Sequence, residues 1–258
     1  NHYQEVVNGH ANSPHVRQSM LQSALIHRRQ GKTDQAIEEF KTVIAQYPTM
    51  DGARDALAGL ESIYVEQGRV ADYEAYVKTL SFVDPASLDL DEKYYRAAEQ
   101  FHQQDKCEQA IGAFGDYLAK YPNGGFALNA LFYKGDCEYR LGQQAQALQD
   151  LEAVIDRKAM QFMEPALSMA SELLFKDKRW EGALERYGQL ESASTLPANT
   201  LAAQVGRMRC LRDLGRAEEA AQAAEKVLAN CTARDDQKWE AGIVIGTRGM
   251  KIWGIRIT

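Results

Sequence analysis

The stretch Asp91–Ala127, DEKYYRAAEQFHQQDKCEQAIGAFGDYLAKYPNGGFA, decides the fold. It holds two apolar-periodic runs, a short polar break at His102–Lys106 and a stop at Tyr121-Pro122. The alanine of its QAIGAF segment, Ala110, has counterparts at Ala36, Tyr73, Ala147, Ala183 and Ala220. The intervals along that series are 37, 37, 37, 36 and 37 residues. A period of this length marks stacked supersecondary units, each packed on its neighbours. The remainder of the chain reads as copies of this one helical pair.

Working outward, residues four and seven after the aligned alanine are apolar in every copy: Phe40/Val43, Val77/Leu80, Phe114/Tyr117, Leu151/Val154, Tyr187/Leu190 and Ala224/Val227. That spacing draws one buried stripe along a second helix, B. Five residues before the alanine stand Gly31, Gly68, Gly142 and Gly215, with Asp105 and Lys178 in the other two copies. A residue there is expected to take positive φ as the first helix, A, ends; glycine does so freely, Asp tolerably and Lys less well. Seven residues earlier come Ala24, Ala98, Gly135 and Ser171, small enough for close helix approach. Glu61 and Met208 break that pattern. Glu61 and Tyr73 fall in the same second repeat, which is therefore expected to pack more loosely or at an altered angle.

All six prolines fall at joints between repeats. Ser13-Pro14 and Glu164-Pro165 suit a first-turn proline that opens a helix. Tyr47-Pro48, Asp84-Pro85 and Tyr121-Pro122 suit one that closes it. None is expected inside a helix, where the lost donor and steric clash cost about 3 kcal/mol.

Composition narrows the function. A net charge of −6 and a pI near 5.5 argue against nucleic acid, which requires a basic face. No window approaches 18 uncharged apolar residues, so no membrane-spanning helix is expected. The four cysteines, Cys107, Cys137, Cys210 and Cys231, form no CxxC and no metal-like cluster. Buried free thiols are the ordinary reading; a Cys107–Cys137 or Cys210–Cys231 disulfide stays open, and the compartment with it.

These residues resemble the tetratricopeptide repeat family, with Ala24, Ala36, Phe40 and Pro48, then Ala98, Ala110, Phe114 and Pro122, as the best matches. The resemblance covers about residues 1–232. It implies an all-α, right-handed α-solenoid of about six antiparallel helix pairs in residues 17–232, preceded by the end of another repeat in 1–16. The period of 37 exceeds the family's usual value of about 34. The extra residues fall at the joints, as in Thr49–Ala53 and Asn123–Ala127; if helical, they lengthen each A helix by about 4–5 Å. Joints of this kind also resemble bacterial envelope proteins, the outer-membrane-assembly lipoproteins and the periplasmic partner of Tol–Pal. Periplasm is the expectation from that likeness, with cytoplasm the alternative.

Catalysis is not expected. His2, His10, His15 and His27 lack the i, i+4 spacing of a zinc pair. His27 occupies the A-helix position held elsewhere by Tyr64, Phe101, Leu174 and Leu211, and reads as a packed core residue; His102 reads as solvated. Phosphate-cradling and nucleophile-elbow patterns are absent, so neither cofactor nor metal is expected. Acid pairs such as Glu38-Glu39 read as solvated surface.

The family resemblance places a partner groove on the A helices. Carried onto this chain its positions are Tyr95, Glu99, Asn129, Phe132, Asp136, Tyr139, Arg140, Phe175, Lys176, Arg209 and Arg212. Aromatics interleaved with arginines suit an extended or helical peptide of a protein ligand. Phe132 and Phe175 read equally as wedges between repeats. On the groove reading, Tyr95→Ala with Phe132→Ala lowers binding and leaves folding intact. The family's carboxylate clamp is set aside, because Leu21 and Leu25 stand where it needs Lys and Asn. Rival readings are self-association through exposed ends, and a module presenting substrate to a catalytic domain elsewhere.

Two terminal expectations complete the reading. Tyr3–Val7 fits the end of a preceding B helix, so the chain reads as part of a longer array. Residues 233–258 read as a partial repeat or irregular segment: Asp235–Gly242 can begin an A helix with Trp239 inward. The glycine-rich GIVIGTRGMKIWGIRIT suits a strand–turn–strand, a cap, or a partly disordered end, the last being favoured.

Overall fold

A computed structural model describes residues 15–158 and 160–252, and their regular structure is entirely helical. The chain divides into two units, Asn1–Ala127 and Leu128–Thr258. The first holds α1 (Val16–Arg29), α2 (Thr33–Gln46), α3 (Met50–Glu66), α4 (Val70–Val77), a 3₁₀ turn (Pro85–Leu88), α5 (Leu90–Gln103) and α6 (Cys107–Lys120). The second holds nearly all of α7 (Ala127–Arg140), then α8 (Gln144–Asp156), α9 (Met160–Lys176), α10 (Trp180–Ala193), α11 (Pro197–Asp213), α12 (Ala217–Ala229) and α13 (Asp235–Ile252). Odd-numbered helices are the A helices and even-numbered ones the B helices. Among α1–α6, and again among α8–α13, consecutive helices pack on one another, with short connections except between α4 and α5, which residues 78–89 join through the 3₁₀ turn.

The A–B turn has one construction throughout. Gly31, Gly68, Gly142 and Gly215 take φ of +70 to +74°, and Asp105 and Lys178 take +62° and +59° at the same place. The next amide donates to a carbonyl five residues back: Lys32 to His27 (2.9 Å), Arg69 to Tyr64 (2.7 Å), Lys106 to Phe101 (2.9 Å), Gln143 to Glu138 (2.8 Å), Arg179 to Leu174 (2.9 Å) and Arg216 to Leu211 (2.9 Å). This is the Schellman closure, which satisfies carbonyls that the ended helix leaves orphaned. The carbonyl of that same residue then accepts from the aligned alanine amide four residues on, as in Ala110 to Lys106 (2.9 Å). One residue thus ends helix A and starts helix B.

The predicted core is buried. Ala36, Ala110, Ala147 and Ala183 are fully enclosed, as are Phe40, Phe114, Tyr117, Leu151, Val154 and Leu190 on the B stripe. B-helix aromatics also key into the following A helix. A Cβ at Gly59 would come within 2.4 Å of the Phe40 ring, and one at Gly206 within 2.4 Å of Tyr187. In the second repeat Tyr73 is buried in the alanine slot, and α4 has only 8 residues.

Several expectations need correction. Pro165 lies inside α9 rather than opening it, because the extra joint residues continue the helix upstream to Met160. The lost backbone bond is offset by packing: Phe162 stacks on Phe132 at 4.3 Å, and Ala166 and Leu167 are buried. The joint residues are helical in α3, α9 and α11, each of 17 residues, but not in α5 or α7, which have 14. The glycine-rich segment is helical to Ile252 instead of forming strands. Ala241 and Val244 are buried against Leu201, Val205 and Val227, and this packing outweighs the roughly 1 kcal/mol that each glycine costs in a helix. Trp239 does not turn inward; it is 74% exposed. Tyr3–Val7, Ser13-Pro14, His2, His10 and residues 253–258 lie outside the described residues. Cys107 and Cys137 are disulfide-bonded, so the free-thiol reading holds for Cys210 and Cys231 alone.

Lys178 is the one lysine among the six turn residues at positive φ. Lys178→Gly is expected to stabilise the protein by about 1 kcal/mol and Gly142→Lys to destabilise it similarly, moving the melting midpoint by about 2–4 °C in opposite directions. Thermal unfolding followed by circular dichroism checks both.

Candidate functional site

Neighbouring A helices lie against one another within each unit. In the first, the Arg28 guanidinium on α1 reaches Ser62 at 2.8 Å and the Glu66 carboxylate on α3. Lys93 on α5 pairs with Glu61 on α3 at 3.1 Å. Between α3 and α5 opens a recess of about 800 Å³ whose walls come from these two A helices alone. Its side chains are mainly polar: Ser62 and Glu66 on one wall face Arg96, Glu99, Gln100 and Gln103 on the other.

Glu99 is the predicted groove residue found in that recess. Tyr95 is not on the surface: it is buried, stacked on Phe126 at 4.5 Å, and its hydroxyl donates to Glu99 at 2.8 Å. Phe126 is held there by a clasp, in which Tyr117 Oη donates to Asp91 at 2.6 Å and accepts from the Phe126 amide at 3.0 Å. Tyr95→Ala would therefore open the core, so it is not a clean probe of binding. The other recess residues were missed, although subtracting the 37-residue period from Tyr95 and Glu99 gives Ala58 and Ser62, both on its wall.

In the second unit the predicted residues fall on α7, α9 and α11. Asn129 accepts from Gln161 at 3.4 Å, and Phe132 packs on Phe162 as a wedge between A helices. Tyr139 Oη donates to Glu172 at 2.6 Å, and Lys176 holds the same carboxylate at 2.6 Å while lying over the Tyr139 ring. Burial and the Glu172 charge push the Tyr139 hydroxyl up to about 12. Arg140 pairs with Asp136 at 3.5 Å. Phe175 meets Trp180 edge to face at 4.9 Å, a packing contact within its own repeat. Arg209 and Arg212 converge on Glu240 of α13, with closest contacts of 2.6 and 3.0 Å. Arg209 first, then Arg212, holds that carboxyl below its usual range against the effect of burial.

Residues 18–49 and 93–161 match models of the tetratricopeptide repeat. No curated protein sequence matches the chain. Among solved structures, a complex of Naa15/Naa10 bound to HypK-THB contains a chain that is 16% identical, with a TM-score of 0.52 over 95% of this chain and 35% of that one. PilF from Pseudomonas aeruginosa is 14% identical, covering 88% of this chain and 97% of that one, with a TM-score of 0.44. PilW, a type IV pilus biogenesis factor, is 16% identical over 88% and 98%, with a TM-score of 0.43. The all-helical chain of consecutively packed helix pairs is consistent with a tetratricopeptide-repeat fold, and no helix among the described residues is long and apolar enough to cross a membrane.

The helical frame also carries polar residues in its core. Glu138 stands at the position occupied elsewhere by His27, Tyr64, Phe101, Leu174 and Leu211, and is 1% exposed. Lys134 bridges it (2.7 Å) to Asp150 on α8 (2.6 Å), while Glu138 Oε2 has no hydrogen-bond partner. In the first repeat the same positions hold Ser23, His27 and Glu39, with His27 Nδ1 at 2.8 Å from Glu39. His27 is therefore a packed histidine, as expected, whereas His102 is half-buried rather than solvated. Glu74 is handled differently: although burial opposes it, Lys120, Lys78 and Tyr94 bring its carboxyl down to about 2. Glu164 is also held at about 2, by Ser194 and then Asn199, which ties α9 to the joint before α11.

Burial, assisted by the Asp150 charge, raises the Glu138 pKa despite Lys134. A raised folded-state pKa means that the native protein keeps a proton the unfolded chain has lost. The stabilisation is present below the ordinary glutamate value and disappears as pH rises through the folded value. Glu138→Gln is therefore expected to gain stability relative to the parent as pH increases from about 4 to 8. Urea unfolding across that range checks the sign; a constant difference would show that Glu138 does not titrate differently on folding.

Proposed function

We propose that this chain is a protein-interaction module that receives a peptide or helical segment of a partner along its A helices. The observation that carries this reading is the recess between α3 and α5, open to solvent and lined from two adjacent A helices by side chains that both donate and accept hydrogen bonds. Gln100, Gln103 and Ser62 suit main-chain amides of a bound segment, while Glu66, Glu99 and Arg96 set charge preference. In the second unit, Asp136, Tyr139, Arg140 and Lys176 with Arg209 and Arg212 form the corresponding surface.

A second reading, self-association, is favoured by Trp239 and Ile243, which are 74% and 51% exposed on α13. The disulfide-bonded Cys107 and Cys137 support an extracytoplasmic location, since such bonds persist in oxidising compartments.

Peptides selected from a displayed library on the parent protein test the main reading. Arg96→Glu with Gln103→Glu, both at exposed positions of α5, is expected to weaken their binding at least about tenfold. The melting midpoint should stay within about 2 °C, because surface substitutions cost little. Equal binding by both proteins would move the site elsewhere. For the location, thiol titration of denatured protein recovered from an oxidising compartment should count two free thiols, Cys210 and Cys231; four would remove the argument.

A further inference from the structure

We propose that the sixth repeat contains an anchor pocket for a tryptophan or phenylalanine ring presented by a protein partner. The pocket is a recess of about 290 Å³ in which Ala217 and Ala220 on α12 face Ile243, Val244 and Thr247 on α13. Arg212 and Glu240 stand beside it. The inference rests on the reading of the chain as a protein-binding module and adds the chemistry of one contact.

The preceding repeat shows what such a space accepts. Moving back by the 37-residue period, Arg212, Ala217, Ala220 and Thr247 become Phe175, Trp180, Ala183 and Cys210. In the fifth repeat Ala183 and Cys210 form a buried cluster with Leu174; Phe175 packs on it and Trp180 closes edge to face on Phe175 at 4.9 Å. The sixth repeat keeps the small floor but lacks both rings. Trp180 has become Ala217, and Phe175 has become Arg212. The Arg212 guanidinium is occupied by Asp213 at 2.8 Å and Glu240 at 3.0 Å. What is left is an apolar slot with charged groups at its rim and no aromatic side chain of its own repeat to fill it. An aromatic ring suits this setting because it supplies a large apolar area at low conformational cost, and such rings dominate interface energetics.

The test uses N-acetyl-tryptophanamide as the probe and methyl NMR of the full chain as the readout. Saturable shifts are expected at Ala217, Ala220, Ile243, Val244 and Thr247, with N-acetyl-leucinamide binding more weakly. Ala217→Trp, which installs the fifth repeat's residue, should weaken the probe at least about tenfold while leaving the melting midpoint unchanged or higher. If that variant does not fold, Thr247→Leu on the opposite wall serves the same purpose. Absence of saturable shifts in the parent, or equal shifts in the filled variant, would overturn the proposal. So would shifts that appear only after residues 253–258 are removed, because the chain's own tail would then be the guest. A dimer abolished by Trp239→Ala would likewise make the guest a second copy. The methyl shifts report on this pocket alone, so their absence would leave the peptide-binding reading standing.

Discussion

Six residues in left-handed backbone hold this architecture together. At each A–B turn, one residue with φ between +59° and +74° reverses the chain, and the next amide closes back onto the ended helix. Four of these residues are glycines, but Asp105 and Lys178 adopt the same conformation. Left-handed backbone costs a β-carbon residue roughly 1–2 kcal/mol, so packing on either side over-determines the turn. Because the turn is uniform, the residue five places later always meets the partner helix at the same point. That is why alanine recurs there, and why Tyr73 in that place coincides with the short α4.

A frame this regular lets single positions be exchanged while their surroundings stay constant. One slot on helix A holds His27, Tyr64, Phe101, Glu138, Leu174 or Leu211. Apolar occupants add to the core, whereas His27 meets Glu39 of helix B directly and Glu138 is joined through Lys134 to Asp150, which stands at the same offset. Burying such groups is costly unless they are paired. Glu138 is only half satisfied, since one of its oxygens has no partner. The exchange of Phe175 and Trp180 for Arg212 and Ala217 is the opposite case, where lost volume leaves a slot.

Much of this was legible in the sequence because it depends on local chemistry repeated at a fixed interval. The turn conformation, the B-helix stripe and the small residues at the crossing are all set by steric rules within one repeat. The errors arose where tertiary burial overrode local preference. Ala241 and Val244 drew a glycine-rich segment into helix, and the upstream turn of α9 enclosed Pro165. Tyr95 was misplaced for a related reason. Its position on helix A allowed either face, and the partner that decided it, Phe126, sits in the joint, the least regular part of the repeat.

The ion pairs linking neighbouring A helices bear on how such a surface can bind. Arg28–Glu66 and Arg209–Glu240 each include one substantially exposed partner. Exposed pairs of this kind contribute about 0–1 kcal/mol, so a bound segment can exchange them for its own contacts at small cost. The fold does not depend on them, because its stability lies in the apolar stripe beneath. The A-helix surface can therefore be polar and adaptable while the layer under it stays close-packed. Aromatic residues such as Phe132 and Tyr95 belong to that lower layer, where their rings fix the spacing between helices. On the proposed reading, affinity comes from hydrogen bonds along an open recess and from apolar slots that the repeats leave unfilled.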